Sequence, residues 1–377
     1  MLYYIKVMIK MNKNTTLEIS LSNFKDNYYE IKKKIASTAE IIPILKDNAY
    51  GTYINTQIKL LNDLNIKIIG VANVTEGVEM RKLGFNKEIL ILNQPFSNEI
   101  EEIAKYTLTV GCGSLEFVKE LIKNNEKFKI HIEICTGMGR TGIKPQEITE
   151  YIKLIKNCEN ITVSGIYTHF SCSDSDKLYT EQQIKLFNNI LGEVKKEFPT
   201  LEYIHACNSA GILNFPEAHF NAVRPGLLLY GYYPSNDLKN KINIKPIAKL
   251  KAKISFLKEV PANTSISYGR TFITKHPSKI ATVSIGYSSG VNRALSNKSN
   301  VVVNGKIAPI IGNICMDSLM VDVTGIDVKV NDDVYIWDNE LVTIDDLAKI
   351  CGTINYEILT RIPEKVHRNF ISVISPI

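Results

Sequence analysis

The sequence has no apolar run of the ~18 to 20 residues that a membrane-crossing helix needs, so no membrane partner is expected. It has no C-x-x-C pair. Its seven cysteines (Cys112, Cys135, Cys158, Cys172, Cys207, Cys315 and Cys351) are odd in number and far apart. That disfavours a disulfide framework and a zinc site, so no metal is expected, and reduced thiols fit a cytosolic protein. The opening "MLYYIKVMIK" is too short an apolar stretch for a secretion signal and has no small-residue cleavage site after it. Met8 or Met11 serves equally well as a start, and the expected location is the cytoplasm. Charge of one sign is not concentrated anywhere. The net +6 comes from scattered lysines such as those of "EIKKKI", which read as solvated helix faces, so no nucleic-acid partner is expected. A small anionic ligand remains compatible.

What the sequence does have is alternation. Apolar or β-branched runs recur at 41–46, 66–73, 88–93, 106–110, 128–135, 161–168, 201–207 and 227–231. Helix-periodic segments with polar faces lie between most of them, at 54–65, 75–84, 114–124, 145–157 and 177–198. Near-continuous apolar strands suit a parallel sheet covered on both faces. Repetition of this unit about eight times predicts an α/β fold, a TIM-like (β/α)8 barrel. An open doubly wound sheet is the alternative, and the absence of G-x-G-x-x-G after the first strand disfavours its dinucleotide-binding form. Past residue 235 the polar linker "YYPSNDLKNKINIKP" leads into strand-like runs, with Asn304-Gly305 as a hairpin signal between two of them. The expected division is a barrel over 12–238 and a mostly β domain over 239–377.

In such a barrel, chemistry sits at the C-terminal strand ends and in the loops that follow. Those ends carry Lys46 and Tyr50 after the first strand, Arg140 after the fifth and His169 after the sixth. Asn208 and Ser209 follow the seventh, and Arg224 and Gly226 precede the last. Singly, each has a plain reading as a snorkelling lysine, a loop tyrosine, a helix cap or a turn glycine. Together they suit one ligand. A desolvated lysine amine is a nucleophile. Ser209 can cap a short helix whose free N–H groups attract an anion. Gly226 lets the backbone approach a ligand closely, and Tyr50 can donate to an oxyanion. An amine beside a phosphate cradle points to a phosphorylated aldehyde, a description that pyridoxal 5′-phosphate fits.

Nine segments then carry a family resemblance. They are "KDNAYG" (46–51), "TGMGRTGI" (136–143), "YTHFS" (167–171), "HACNSAG" (205–211), "VRPGLLLYG" (223–231), "SYGRTF" (267–272), "IGYSSG" (285–290), "GNICMDSLMVD" (312–322) and "YEILTRI" (356–362). In these motifs, in order along nearly the whole chain, the sequence resembles the alanine racemase family of fold-type III pyridoxal-phosphate amino acid racemases.

The resemblance implies that Lys46 holds the cofactor and is one of two bases. Tyr268 is the other, reaching the cofactor from the partner subunit of a homodimer with shared active sites. Two groups on opposite sides of an α-carbon suit racemisation, because a proton leaves one face and another arrives at the other. By the same resemblance Arg224 contacts the pyridine nitrogen, His205 orients Arg224, and His169 lies beside the ring. Tyr50, Asn208, Ser209, Gly226, Leu227 and Tyr356 are cofactor contacts. Arg140 and the backbone N–H of Met316 meet the substrate carboxylate, and Tyr287 stands at the substrate entrance. The implied activity interconverts L- and D-alanine and supplies D-alanine for peptidoglycan. The alternative is a racemase of the same family acting on serine or a broader set of amino acids. A decarboxylase of this architecture is disfavoured because its "EPGR"-like motif is missing. A pyridoxal-phosphate carrier is disfavoured because "SYGRTF" and "CMD" lie in a second domain.

Some positions depart from the family pattern. Where many members have a lysine that becomes carbamylated, seven positions before Arg140, this sequence has Glu133. The expectation is that Glu133 supplies the carboxylate directly and holds Arg140. Cys135 stands where an aspartate is common. "KDNAYGTY" replaces the usual K-A-N/D-A-Y-G-H-G, and "SSG" replaces "ADG" after Tyr287.

Overall fold

The computed structural model describes residues 12–371. The chain divides into two compact units, one made of residues 23–49 and 54–245, the other of residues 12–22, 50–53 and 246–371.

The first unit is the expected barrel. Its parallel strands are Glu40–Ile41, Ile68–Val71, Glu88–Ile91, Thr109–Cys112, Phe128–Glu133, Ile161–Tyr167, Tyr203–His205 and Ala222–Val223, each paired with the next. The first and second strands meet through a bridge between Ile44 and Gly70, where Leu45 N–H donates to Gly70 O at 2.8 Å, and this closes the ring. The helices between strands begin where the chain supplies caps. Asn73, Ser114 and Asp176 each accept from the N–H three residues on, opening Val74–Lys82, Leu115–Lys123 and Lys177–Glu197.

Two of the expected strands differ. The run 227–231 is not the last strand. Leu227–Tyr230 is a buried 3-10 turn, and the eighth strand is Ala222–Val223 before it. A short, fully apolar run fits either form, and periodicity cannot separate them. Arg224 therefore follows the last strand and lies at its C-terminal end. The run 41–46 is a paired strand only over Glu40–Ile41. Pro43 has no N–H to give a ladder, and Lys46 opens a turn.

The barrel interior is unusually polar along one strand. In "FKIHIE", Ile130 and Ile132 share one face while Lys129, His131 and Glu133 share the other. Lys129 Nζ meets Glu88 and Glu202, and His131 meets His205. These partners lie at the third and seventh strands. Alternate strands of a barrel touch only across its lumen.

In the second unit, the 13-residue strand Ala248–Val260 pairs with Asn12–Ser20, Asp333–Trp337 and Ser278–Val283. With Leu319–Asp322, Lys306–Ile311 and Asn300–Val303, it closes a ring of six strands. Asn304 and Gly305, at φ +48° and +73°, make the hairpin between two of them. Asn12–Ser20 falls within the expected barrel range of 12–238, yet it lies in this sheet between Ala248–Val260 and Val366–Ile371. Its buried Thr15, Leu17 and Ile19 form a period-two face that a sheet covers. Two helices, Ile344–Cys351 and Asn355–Thr360, join the β structure. The first is bounded by a capping box of Thr343 with Asp346 and by Gly352 at φ +66°, both readable in "TIDDLAKICG". Among the described residues no helix is long and apolar enough to cross a membrane.

Candidate functional site

Lys46 stands at the mouth of the barrel, half-buried, directly after the buried Leu45. Among the described residues its amine has no hydrogen bond or ion pair. The chain then turns left-handed. Asp47, Asn48, Ala49 and Tyr50 have φ of 53°, 53°, 52° and 57°, and Gly51 has 77°. Each non-glycine residue there costs about 1–2 kcal/mol, least for Asp and Asn, so the surroundings must hold the turn. Glu76 is one holder. Its carboxylate accepts from Asp47 N–H and from Ala72 N–H, both at 2.7 Å.

Arg224 is buried beside this mouth. Its Nη1 donates to His205 Nδ1 at 2.5 Å, and its Nη2 donates to Thr168 O at 2.7 Å, Ala206 O at 3.0 Å and His169 Nδ1 at 3.3 Å. Among the described residues these contacts leave Nε uncommitted. Burial draws the guanidinium pKa down to about 10, so it stays protonated at neutral pH. Burial and the nearby cations Arg224, Arg140 and Lys46 hold His169 well below the usual imidazole range, so it is neutral. Tyr167 stacks on His205 at 4.8 Å and lies under the Arg224 guanidinium. Arg224 thus touches His205, as expected, and His169 as well.

Ser209 does not cap its helix. Asn208 does, accepting from Gly211 N–H at 3.0 Å, because it is the residue with extended backbone. Ser209 is the first helical residue, and its hydroxyl accepts from Gly226 N–H at 3.0 Å and Leu228 N–H at 3.4 Å. The seventh and eighth strand ends are thereby joined by one hydroxyl and two amides.

Glu133 is buried, with 3% exposure, so it is no solvent-facing strand residue. Its Oε1 accepts from Thr141 Oγ1 at 2.8 Å, while Oε2 is buried with no hydrogen bond of ordinary geometry among the described residues. The expected grip on Arg140 is not a hydrogen bond here. Arg140 is exposed on the glycine loop and acts on Glu133 only through its charge. Burial nevertheless pushes the carboxyl pKa up against the pull of Thr141 and Arg140. The loop folds back tightly: a Cβ on Gly142, at φ +110°, would sit 2.6 Å from Cys135 N.

In the second unit, Tyr268, Met316 and Tyr287 lie on loops tied together. Ser267 Oγ donates to Asn313 O at 2.5 Å, and Asn313 Nδ2 donates to Tyr268 O at 2.8 Å. Tyr287 N–H donates to Cys315 O, and Ser288 N–H to Met316 O. Tyr268 is 73% exposed and Met316 55% exposed, and the Met316 N–H has no partner among the described residues. Tyr50 and Tyr356, also in this unit, rest against each other with ring centres 6.2 Å apart.

A family model described as the alanine racemase N-terminal domain matches residues 19–234, and its C-terminal counterpart matches 247–370. The chain belongs to the alanine racemase family. It is 39% identical over 367 residues to alanine racemase 2 of Caldanaerobacter subterraneus subsp. tengcongensis, covering 95% of each chain. Among solved structures, it resembles the alanine racemase of Clostridium difficile 630 with a TM-score of 0.91 at 34% identity, over 96% of this chain and 97% of that one. It resembles the Bacillus anthracis alanine racemase with bound L-Ala-P with a TM-score of 0.89 at 32% identity, over 96% of each. Alanine racemases are pyridoxal-phosphate-dependent isomerases.

The sequence motifs pass over Glu76, Glu88, His131, Thr141 and Tyr167. The polar triplet Lys129, His131 and Glu133 at alternate positions signalled a polar interior face. Glu76 had no such signal, because its role lies in backbone amides that the turn exposes.

Proposed function

We propose that the protein interconverts L- and D-alanine with pyridoxal 5′-phosphate held on Lys46. It works as a cytoplasmic homodimer and supplies D-alanine for peptidoglycan. The observation that carries this reading is Arg224, a buried, protonated guanidinium with Nη1 and Nη2 engaged and Nε uncommitted. It suits a pyridine nitrogen. Ser209, whose oxygen accepts from the Gly226 and Leu228 amides and whose own O–H remains to donate, suits a phosphate, and Lys46 suits an aldehyde. The residues present therefore fit the cofactor. Asn208, Leu227, Tyr50 and Tyr356 complete the proposed set.

When bound, the cofactor supplies the electron sink that makes an amino acid α-proton acidic. Lys46 moves the proton on one face and Tyr268 on the other. The exposure of Tyr268 on its own unit supports its acting at the partner's cofactor. Arg224 cannot readily yield its proton, so it leaves the pyridine nitrogen unprotonated and favours prompt reprotonation at carbon. Neutral His169 braces Arg224. Arg140 and the Met316 N–H hold the substrate carboxylate, and Tyr287 stands at the substrate entrance.

Glu133 acts here as a buried carboxylate that fixes the Thr141 side of the Arg140 loop and attracts Arg140 by charge. Glu133→Gln is expected to raise KM for alanine roughly 10-fold, the size of one charge-assisted hydrogen bond, and Glu133→Ala more. Steady-state kinetics identical to the parent would remove the idea.

The direct test of the function is purified protein with pyridoxal phosphate and L-alanine in D2O, repeated with L-serine, L-lysine and L-arginine. The expected result is loss of the alanine α-proton signal with D-alanine formed, faster than for the other amino acids. Inversion of serine at a comparable rate would replace the alanine assignment by a broader one. Bound cofactor with no exchange of any amino acid would sink the racemase reading.

A further inference from the structure

The barrel lumen holds a buried polar column that the proton transfers do not account for. It starts at Arg224 Nη1, 2.5 Å from His205 Nδ1. His205 Nε2 lies 2.9 Å from His131 Nδ1, and His131 Nε2 lies 3.7 Å from Glu88 Oε1. Thr109 Oγ1 donates to Glu88 at 2.9 Å, and Lys129 Nζ bridges Glu88 and Glu202 at 2.8 Å each. Both imidazoles are fully buried. Branched aliphatic layers usually fill such a lumen and avoid the cost of burying polar groups.

The proton positions follow by deduction. A guanidinium only donates, so His205 Nδ1 accepts. Burial, reinforced by Arg224 and His131, holds His205 well below the usual imidazole range, so the ring is neutral and its proton is on Nε2. That N–H donates to His131 Nδ1. Burial lowers the His131 pKa too, against the pull of Glu88, so its single proton sits on Nε2 facing Glu88. Burial pushes the Glu88 carboxyl up, but the Lys129 ammonium at 2.8 Å, with the His131 edge facing it, outweighs that and holds it below the usual carboxylate range, so Glu88 is ionised. From Arg224 through His205 to His131 each N–H points toward Glu88, and the last, His131 Nε2–H, faces the Glu88 carboxylate at 3.7 Å, too far for a hydrogen bond, and is held there by charge. Tyr167, stacked on His205 with planes 6° apart, limits rotation of that ring. The freedom that remains is the tautomer.

We propose that His131 and Glu88 are positioning residues that lock His205 in the Nε2–H form, so that its Nδ1 receives Arg224 and holds the guanidinium toward the cofactor's pyridine nitrogen. The inference rests on Arg224 facing that nitrogen. With the other tautomer, two N–H groups would confront each other at the Arg224–His205 contact, and the guanidinium would have to move.

The test is nitrogen NMR on 15N-histidine-labelled full-length protein, with and without pyridoxal phosphate. The chain has six histidines, so His131→Asn and His205→Asn assign the two signals. The expected result is a bare Nδ1 and a protonated Nε2 on both rings. His131→Asn keeps an acceptor near the Nδ1 position and should preserve the His205 signature and the absorbance of the bound cofactor. His131→Phe should mix or invert the His205 tautomer, shift that absorbance and lower kcat about tenfold with little change in KM. Glu88→Gln keeps the shape and should average the His131 nitrogen signals. A proton on Nδ1 of either ring in the parent protein overturns the proposal, as does a His205 signature indifferent to His131→Phe. Averaging absent in Glu88→Gln overturns the part assigned to Glu88. A failure of the underlying site looks different: the tautomers are as stated, but the absorbance ignores both His131→Phe and Arg224→Lys. Absorbance that answers to Arg224→Lys alone overturns the role of His131.

Discussion

Lys46→Ala is expected to lower alanine racemisation by on the order of 10⁴-fold or more, because in the proposed mechanism one substitution removes both the cofactor's covalent anchor and one of the two bases. The lysine is not an ordinary surface amine. It follows the buried Leu45 at the barrel mouth and opens a turn in which the next four residues all have positive φ. Such a turn is unfavourable in isolation, and Glu76 ties it to the adjacent helix through Asp47 N–H. That investment in fixed backbone suits a side chain whose position matters. Two readouts check the expectation. D-alanine formation should vanish, and borohydride treatment of the loaded protein should leave no phosphopyridoxyl mass on the peptide holding position 46. Lys46→Arg keeps the charge but loses the nucleophilic amine, so it should fail equally. Activity of either variant within tenfold of the parent would sink the assignment.

How far the sequence could be read depends on the kind of signal. Strand–helix alternation is a property of consecutive residues, so the barrel was legible, as was the Asn304-Gly305 hairpin. Closure of the second unit was not, because Asn12–Ser20 pairs with strands more than two hundred residues away. The run at 227–231 reads equally as strand or 3-10 turn, because four consecutive buried apolar residues carry no period. Correcting it moves Arg224 to a C-terminal strand end, the place where a barrel puts its chemistry. Ser209 was seen, but its partner was not. Which of two adjacent residues caps a helix depends on backbone angles, and Asn208 has the extended ones. Asp47, which departs from the family motif, has a simple account: aspartate tolerates the left-handed conformation that its position requires. The lumen column needed three dimensions. His131 and Glu88 are 43 residues apart, and only the closed sheet brings them within 3.7 Å.

Tyr268→Phe is expected to cost on the order of 10³-fold in racemisation, within the range for losing a positioned general acid or base. Its signature should differ from that of Lys46→Ala. With Lys46 intact, the enantiomer that presents its α-proton to Lys46 should still exchange with D2O, but without inversion. Loss of all exchange would mean that Tyr268 does more than serve one face. The stronger test uses both variants together. Tyr268 is largely exposed on its own unit, and Asn313 Nδ2 donates to its backbone carbonyl. If it acts at the partner's cofactor, a mixed dimer of Lys46→Ala and Tyr268→Phe subunits gathers both lesions in one site and leaves the other whole. Random subunit exchange makes about half the dimers mixed, so about a quarter of all sites should regain activity. If Tyr268 served its own subunit, each site in the mixed dimer would carry one lesion and nothing would return. Mixing two nearly inactive proteins therefore gives opposite answers for the two arrangements, and a rise in D-alanine formation to about a quarter of the parent rate is the outcome the shared site requires.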